Sequence, residues 1–450
     1  MATTRAIEEV RSLLAGAHLA PEHADRLRLS RFTNPPHLST DLPDLPSRGP
    51  ATITTAAATS KAPDAPSPRL IVIGDVHGQL ACLRALLAEA GYDAVARGDR
   101  VVLAGDLINK GPDSAGVAAL AMDQGFAAVR GNHEDKVLRV FALAEAVRAE
   151  VGAAGGGGDG SGSASGEAAL KEWEQNVLSK SDRAALATAR SLTPEQRDWI
   201  AARPLLLRLD ARAIVSGRDG SGAAEAPRDE VIVVHAGVVP GVALEDQDPW
   251  AVMSMRTLLY PGKKGKLHGE DGAVFDFAIR SKFKDLHPTA APPSDAEVEA
   301  ESRRLLEHYC ACSRSHDNDE TATAKQKDKE EEDAVIPAAV PVATREGRSW
   351  AKAWDAIERA KPAGAPRTTV VYGHDARKGL NVKEYTFGLD SGCVKGGRLT
   401  ALVFEADPQA EGGVGRRLVS VGCQAAESEG EEKSGKKEKK EKKDKKKEKD

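Results

Sequence analysis

Asp75 and His77 stand one residue apart in Gly74-Asp75-Val76-His77-Gly78, directly after the apolar run Leu70-Ile71-Val72-Ile73. A carboxylate and an imidazole so spaced can reach one divalent cation. A surface turn with an incidental histidine would read the same way, so the pair decides little alone. The arrangement recurs, however. Val101-Val102-Leu103 runs into Ala104-Gly105-Asp106, and Ala127-Ala128-Val129 leads to Arg130-Gly131-Asn132-His133-Glu134. Val231-Ile232-Val233-Val234 ends at His235-Ala236-Gly237, and Thr369-Val370-Val371-Tyr372 ends at Gly373-His374-Asp375. Asp75, His77, Asp106, Asn132, His235 and His374 offer mixed oxygen and nitrogen donors, which suit zinc, manganese or iron. These residues exceed the needs of one ion with an open position and divide between two. An aspartate with both oxygens available can bridge two ions about 3.5–4 Å apart, and the pair can hold a shared hydroxide. Phosphate esters and anhydrides are the matching substrates.

The elements that position these donors are short β-branched runs closed by glycine, which read as buried strands opening into tight turns. Leu80, Leu83, Leu86 and Leu87 mark a helix over 79–90. Asp113 or Ser114 can cap a second helix, ended by Gly125, and a third is expected from Glu134 to Glu150. Strand and helix in alternation predict a mostly parallel sheet covered by helices. Residues 1 to about 30 could form short amphipathic helices, and Asn34 to Pro68 reads as a Pro/Thr/Ala-rich linker. The motif-bearing domain is assigned to 69–424. Flexible insertions are expected at about 152–166, rich in Gly, Ala and Ser, and at about 262–348, where the apolar pattern fades. Thr193 caps a helix with Pro194 in its first turn. Residues 425–450 form a Lys/Glu-rich tail read as a disordered solubility segment.

A net charge of −5 gives no overall basic field for nucleic acid or an anionic membrane, so sequence-specific nucleic-acid binding is not expected. No stretch approaches the roughly 18 apolar residues of a membrane span, and the N-terminus lacks a signal-peptide core. The five cysteines are scattered and odd in number, which argues against a disulfide framework. Cys310-Ala311-Cys312 lacks the spacing of a zinc knuckle. A soluble, cytoplasmic protein of a reducing compartment is expected, and a monomer.

The set Gly74-Asp75-Val76-His77-Gly78, Gly105-Asp106 through Gly111-Pro112, Gly131-Asn132-His133-Glu134, His235-Ala236-Gly237 and Gly373-His374 resembles the calcineurin-like metallophosphoesterases of the phosphoprotein phosphatase superfamily. The resemblance covers about 69–405. It implies an α/β fold, a two-sheet β-sandwich flanked by helices, with a dimetal site at the strand C-terminal ends. It further implies that Asp75 and His77 bind one metal and that Asp106 bridges. Asn132, His235 and His374 complete the two sites, with the split of the last two left open. His133 resembles the family's general acid.

Protein Ser/Thr phosphatases of this family typically have Asp-Arg where the chain has Asn109-Lys110. Asn109 leaves His133 without a carboxylate partner, and Lys110 keeps a positive charge without the bidentate fork of arginine. The stretch 106–113 resembles instead the branch of symmetrical diadenosine-tetraphosphatase-like enzymes. Gly373-His374-Asp375-Ala376-Arg377-Lys378-Gly379-Leu380 and Gly388-Leu389-Asp390-Ser391-Gly392-Cys393-Val394 also match eukaryotic members of it, including zinc-dependent endopolyphosphatases. Arg256 sits where the branch has a substrate arginine, and Lys110, Arg377 and Lys378 are further candidate anion contacts. The resemblance thus points to a phosphoanhydride hydrolase, endopolyphosphatase-like in the first place. The alternatives are a dinucleoside-polyphosphate or RNA-cap hydrolase, then a protein Ser/Thr phosphatase, then a metal-binding pseudoenzyme scaffold.

Overall fold

The computed structural model describes residues 38–39, 67–154, 162–216, 230–261, 267, 269–286, 291–315 and 338–426. The helices expected before residue 30, most of the 34–68 linker, residues 316–337 of the expected second insertion and the tail from 427 lie outside these residues. The strands are β1 Leu38–Ser39, β2 Leu70–Ile73, β3 Arg100–Leu103, β4 Ala127–Ala128, β5 Leu206–Asp210, β6 Glu230–Val234, β7 Thr257–Leu259, β8 Val340–Val342, β9 Thr368–Tyr372, β10 Asn381–Val382, β11 Thr386–Gly388, β12 Arg398–Ala406 and β13 Val414–Gly422.

Two principal sheets form, ordered β1-β5-β6-β9-β11-β10 and β13-β12-β2-β3-β4. Their packing follows from the two-residue period of a strand. Leu70 and Val72 of β2, Val102 of β3, Val231 and Val233 of β6 and Val371 of β9 join one buried cluster between the sheets. The alternate residues point outward. Ile71 and Ile73 pack on the helices Leu80–Glu89, Ser114–Asp123 and Asn132–Ala154. Ile232, Val234 and Val370 pack on Pro249–Ser254, Gly269–Leu286, Asp295–Ser315 and Trp350–Ala360. Strands covered on both faces have no polar side to show, which is why their sequences are continuous apolar runs.

The sheets are mixed rather than mostly parallel. β2, β3 and β4 run parallel, as do β6, β9 and β11, but β12 lies antiparallel to both β2 and β13, and β5 lies antiparallel to β6. β12 and β13 form a long hairpin after the last motif, outside any strand–helix alternation. The donors follow the parallel strands β2, β3, β4, β6 and β9, whose carboxyl ends converge.

Other expectations need revision. Leu38–Ser39 pairs with β5, so part of the presumed linker extends a sheet. Residues 152–154 and 162–166 continue or begin helices. Within 262–348, the helices Gly269–Leu286 and Asp295–Ser315 and the strand β8 are ordered, and Phe275, Ile279, Val298, Leu305 and Tyr309 are buried. Their apolar spacing is helical but diluted by charge. Cys82 and Cys423 form a disulfide across 341 residues of sequence, where the scattered cysteines argued against a disulfide framework. Among the described residues no helix is long and apolar enough to cross a membrane.

Candidate metal centre

The six donors converge where the parallel strands end. β2 delivers Asp75 and His77, β3 delivers Asp106, and Asn132 opens the helix after β4. β6 delivers His235 and β9 delivers His374. The turns that aim them are strained. Among the described residues the non-glycine positions with positive φ are His77, Asp106, Asn109, Lys110 and His374, every one a candidate site residue. Such conformations cost on the order of 1–3 kcal/mol each and persist where the surroundings enforce them. Gly373 is required for a different reason: a Cβ there would lie 1.9 Å from Asp75 Oδ1.

The Asp106 carboxylate is the hinge of the site. Its Oδ2 lies 3.4 Å from His77 Nε2, and its Oδ1 lies 3.2 Å from His235 Nε2. Asp75 Oδ2 is 3.8 Å from His77 Nε2 on the first side. On the second, Asn132 Oδ1 lies 3.0 Å from His235 Nε2 and 3.1 Å from His374 Nδ1, and the two rings approach to 3.2 Å. Both histidines thus gather around the Asn132 amide oxygen.

The donor set fits divalent cations on a further observation. Each ring spends one nitrogen on a backbone carbonyl: His77 Nδ1 on Ile108, His235 Nδ1 on Ala104, and His374 Nε2 on Ser254. The remaining nitrogen of each faces the centre as an acceptor, the arrangement by which ligating imidazoles are oriented. The charges divide among the donors: burial lowers His235, but Asp106 beside it raises it above its ordinary value. Burial opposes charge on Asp106, yet His235, His133 and His77 hold it well below the usual carboxylate range. Burial, then the charges of Asp390 and Asp106, push Asp75 well above that range. Burial lowers His77 to about 4 and drives His374 well down.

His133 Nε2 lies 4.0 Å from Asp106 Oδ2 and forms a close group with His77 and Asp106, beside the group of Asp75, Asp106 and His235. Its Nδ1 is 2.9 Å from Asn109 Nδ2. Lys110 Nζ reaches within 3.4 Å of His77 Nε2. Arg256 donates through Nη1 to the Ala343 carbonyl, and its Nε lies 3.9 Å from Asp375 Oδ1, with Arg345 paired to the same carboxylate. Arg377 is exposed and near enough to Arg256 to disfavour its charge. Lys378 is turned toward Ser349 Oγ, 3.4 Å away, at the start of the helix Trp350–Ala360. A cavity of about 430 Å³ opens beside His133, lined by Lys136, Asp182, Trp250, Lys284 and Asp285 among others.

Sequence reasoning missed three participants. Glu134 accepts from the backbone N–H groups of Asp106 (2.8 Å), Leu107 (2.8 Å), Ile108 (3.1 Å) and Gly131 (2.9 Å), and so fixes the loop that carries Asp106. Its place two residues after Asn132 was the available signal. Asp390 shares a hydrogen bond with Asp75. Arg345 joins the basic group from a segment with no motif of its own.

The family model described as calcineurin-like phosphoesterase matches residues 68–217. Serine/threonine-protein phosphatase 1 of Salmonella typhimurium is 45% identical over 67 residues, which is 15% of this chain and 30% of that protein. A symmetrical bis(5'-nucleosyl)-tetraphosphatase of Methylobacillus flagellatus is 24% identical over 361 residues, 79% of this chain and 95% of that one. A crystal structure named for a diadenosine tetraphosphatase aligns with a TM-score of 0.42 at 22% identity, covering 81% of this chain and 96% of that one. The matched residues 68–217 carry Asp75, His77, Asp106, Asn132 and His133, and over them the chain is similar to the calcineurin-like phosphoesterases.

Proposed function

We propose that the chain hydrolyses phosphoanhydride bonds in nucleoside polyphosphates, dinucleoside polyphosphates above all, at a centre built for two divalent cations. The observation that carries this reading is the division of Asp106, whose two oxygens face different imidazoles. Asp75, His77 and Asp106 would hold one cation, and Asp106, Asn132, His235 and His374 the other. When bound, such a pair neutralises the attacking and leaving oxygens of an in-line displacement and lowers the pKa of water. Lys110 and Arg256 draw the phosphate chain to the centre, Lys110 beside His77 and Arg256 held by Ala343 and Asp375. His133 directs Nε2–H at the departing oxygen, with its ring anchored through Nδ1 by Asn109.

The cavity beside His133 lies on the leaving-group side and is of the size that small-molecule sites take. Trp250 offers an aromatic side chain there for a base to pack on, and Asp182, paired with Lys136, and Asp285 can accept from its amino groups. The order of substrates is therefore the reverse of the one the sequence favours by itself. The named activity of the Methylobacillus relative supports it. Polyphosphate is the second reading, favoured by Arg256, Arg345 and Arg377 around Asp375. The test is a panel of diadenosine tetraphosphate, polyphosphate, capped RNA and a phosphoserine peptide, with zinc or manganese and with chelator. Highest kcat/KM on diadenosine tetraphosphate, abolished by chelator, is expected. Preference for the phosphopeptide would overturn the reading, and inertness toward all four would favour a scaffold.

A further inference from the structure

Besides the two donor groups of the catalytic centre, the described residues bring a third set of metal-ligating side chains together: Cys82, Cys393 and Cys423. They come from three separate elements. Cys82 lies in the helix Leu80–Glu89, just after the turn that carries Asp75 and His77. Cys393 lies in the loop after Asp390, and Cys423 follows the last strand. Cys82 and Cys423 are joined, while the Cys393 sulfur lies 2.7 Å from that of Cys423. That is too long for a bond and well inside ordinary contact between sulfurs. A structural disulfide requires two cysteines; nothing in its chemistry calls for a third sulfur pressed against it.

We propose that Cys82, Cys393 and Cys423, once reduced, form a three-thiolate site for a soft d¹⁰ cation, zinc in particular, distinct from the catalytic pair. The alternative use of three clustered sulfurs is thiol–disulfide exchange, which needs Cys393 as a thiolate. Cys393 is almost wholly buried, so an incoming thiol has no path to it. A cation is small enough to enter among the three sulfurs from the half-buried Cys423 side, and it deprotonates a coordinating thiol outright. The chemistry balances in two steps. A dithiol reductant gives two electrons and two protons to the Cys82–Cys423 bond and becomes a cyclic disulfide. The cation then displaces three protons from three thiols, with the sulfurs drawing to about 2.3 Å from it. Cys82 and Cys393 are buried and Cys423 is half-buried, so water reaches the fourth position from the Cys423 side. The site ties the helix behind the Asp75 turn to the Asp390 loop and the C-terminal hairpin.

The experiment takes the full chain, reduced with a dithiol and freed of it, and adds Co²⁺ or Zn²⁺ alone. Nitrogen and oxygen ligands give cobalt no thiolate-to-metal charge-transfer band. Reduced wild type is expected to develop that near-ultraviolet band, and Cys393→Ser to lack it while keeping its phosphohydrolase rate. Zinc is expected to slow alkylation of all three cysteines at least tenfold, read by mass spectrometry. Cys82→Ser, with the same readouts, covers a failure of Cys393→Ser to fold. No band in reduced wild type, an undiminished band in both variants, or alkylation indifferent to zinc would each overturn the proposal. A Cys82–Cys423 bond that resists the dithiol in folded protein would overturn it too.

Discussion

Asn109 Nδ2 lies 2.9 Å from His133 Nδ1, and the amide can present only its donor side there. Its Oδ1 already accepts from the Lys110 backbone N–H at 3.0 Å and the Thr188 hydroxyl at 3.3 Å. The amide orientation is thus assigned by its neighbours. A donor at Nδ1 makes that nitrogen the acceptor and leaves the proton on Nε2, facing the centre. Protonating the ring would set N–H against N–H, and burial already lowers His133 to about 3. His133 is arranged to donate a hydrogen bond as a neutral ring rather than to release a proton as imidazolium. A phosphoanhydride, whose leaving phosphate is weakly basic, tolerates that; a serine alkoxide does not.

Asn109→Asp should therefore change selectivity. A carboxylate beside an imidazole favours the charged ring, by about 1–3 pKa units, so the acid form survives to higher pH. Turnover of a phosphoserine peptide is expected to rise at least tenfold relative to diadenosine tetraphosphate, and the basic limb of the peptide's pH–rate profile to move upward. An unchanged ratio would remove the argument from the amide.

Glu134→Gln should release the loop that carries Asp106. Four N–H donors and no acceptor surround this carboxylate, so the ionised form is the one the geometry uses, although burial and Asp106 raise its pKa. Glutamine keeps one acceptor oxygen and turns an NH₂ toward backbone donors. The expected cost is about 2–3 kcal/mol by denaturant titration, with loss of bound metal measured by elemental analysis. A cost under about 0.5 kcal/mol would leave Glu134 as a helix-start residue with no hold on Asp106.

The donors were legible because each combines an apolar strand with a glycine turn, and both signals are local. The polar support was not. Glu134 acts through its side chain on N–H groups 26–28 residues earlier in the chain, and Asp390 meets Asp75 from the far end of the domain. The β12–β13 hairpin fell outside the strand–helix alternation used to read the sheet, so its antiparallel insertion beside β2 was not anticipated. The helices Gly269–Leu286 and Asp295–Ser315 were hidden by charge: Arg280, Lys282, Glu301 and Arg304 pair with partners on their own or neighbouring elements, so an apolar count over that stretch falls although a buried stripe is present. Cys82, Cys393 and Cys423 lie too far apart in sequence for spacing to reveal their meeting.

Gly373→Ala should cost function more than stability. The added methyl would stand 1.9 Å from Asp75 Oδ1, while the position itself has no positive φ to lose. Either Asp75 swings away or the β9 turn shifts. Both separate Asp75 from His77, and a misplacement of about 1 Å can cost 10²-fold in rate. Metal analysis should find close to one equivalent lost, with kcat down about 10²-fold. Full metal content at wild-type rate would mean the turn yields freely and the close approach is incidental.

The last prediction separates the two substrate readings at Trp250. Asp248 caps the helix Pro249–Ser254 that carries this tryptophan, accepting from the Ala251 N–H at 2.9 Å. Lys282 braces the same corner: its Nζ lies 3.4 Å from Asp248, 3.2 Å from Glu301 and 5.4 Å from the centre of the indole ring. The ring is thus held on a rigid element beside the cavity that adjoins His133. Stacking of a base on an aromatic side chain is worth roughly 1–3 kcal/mol, or roughly 10–100-fold in affinity. Trp250→Ala should raise KM for diadenosine tetraphosphate by that factor, with a smaller change in kcat. KM for tripolyphosphate, which has no base, should move less than threefold. Equal losses on both substrates would assign Trp250 to the packing of its helix, and a loss confined to tripolyphosphate would put a bare phosphate chain in the cavity and the polyphosphate reading first.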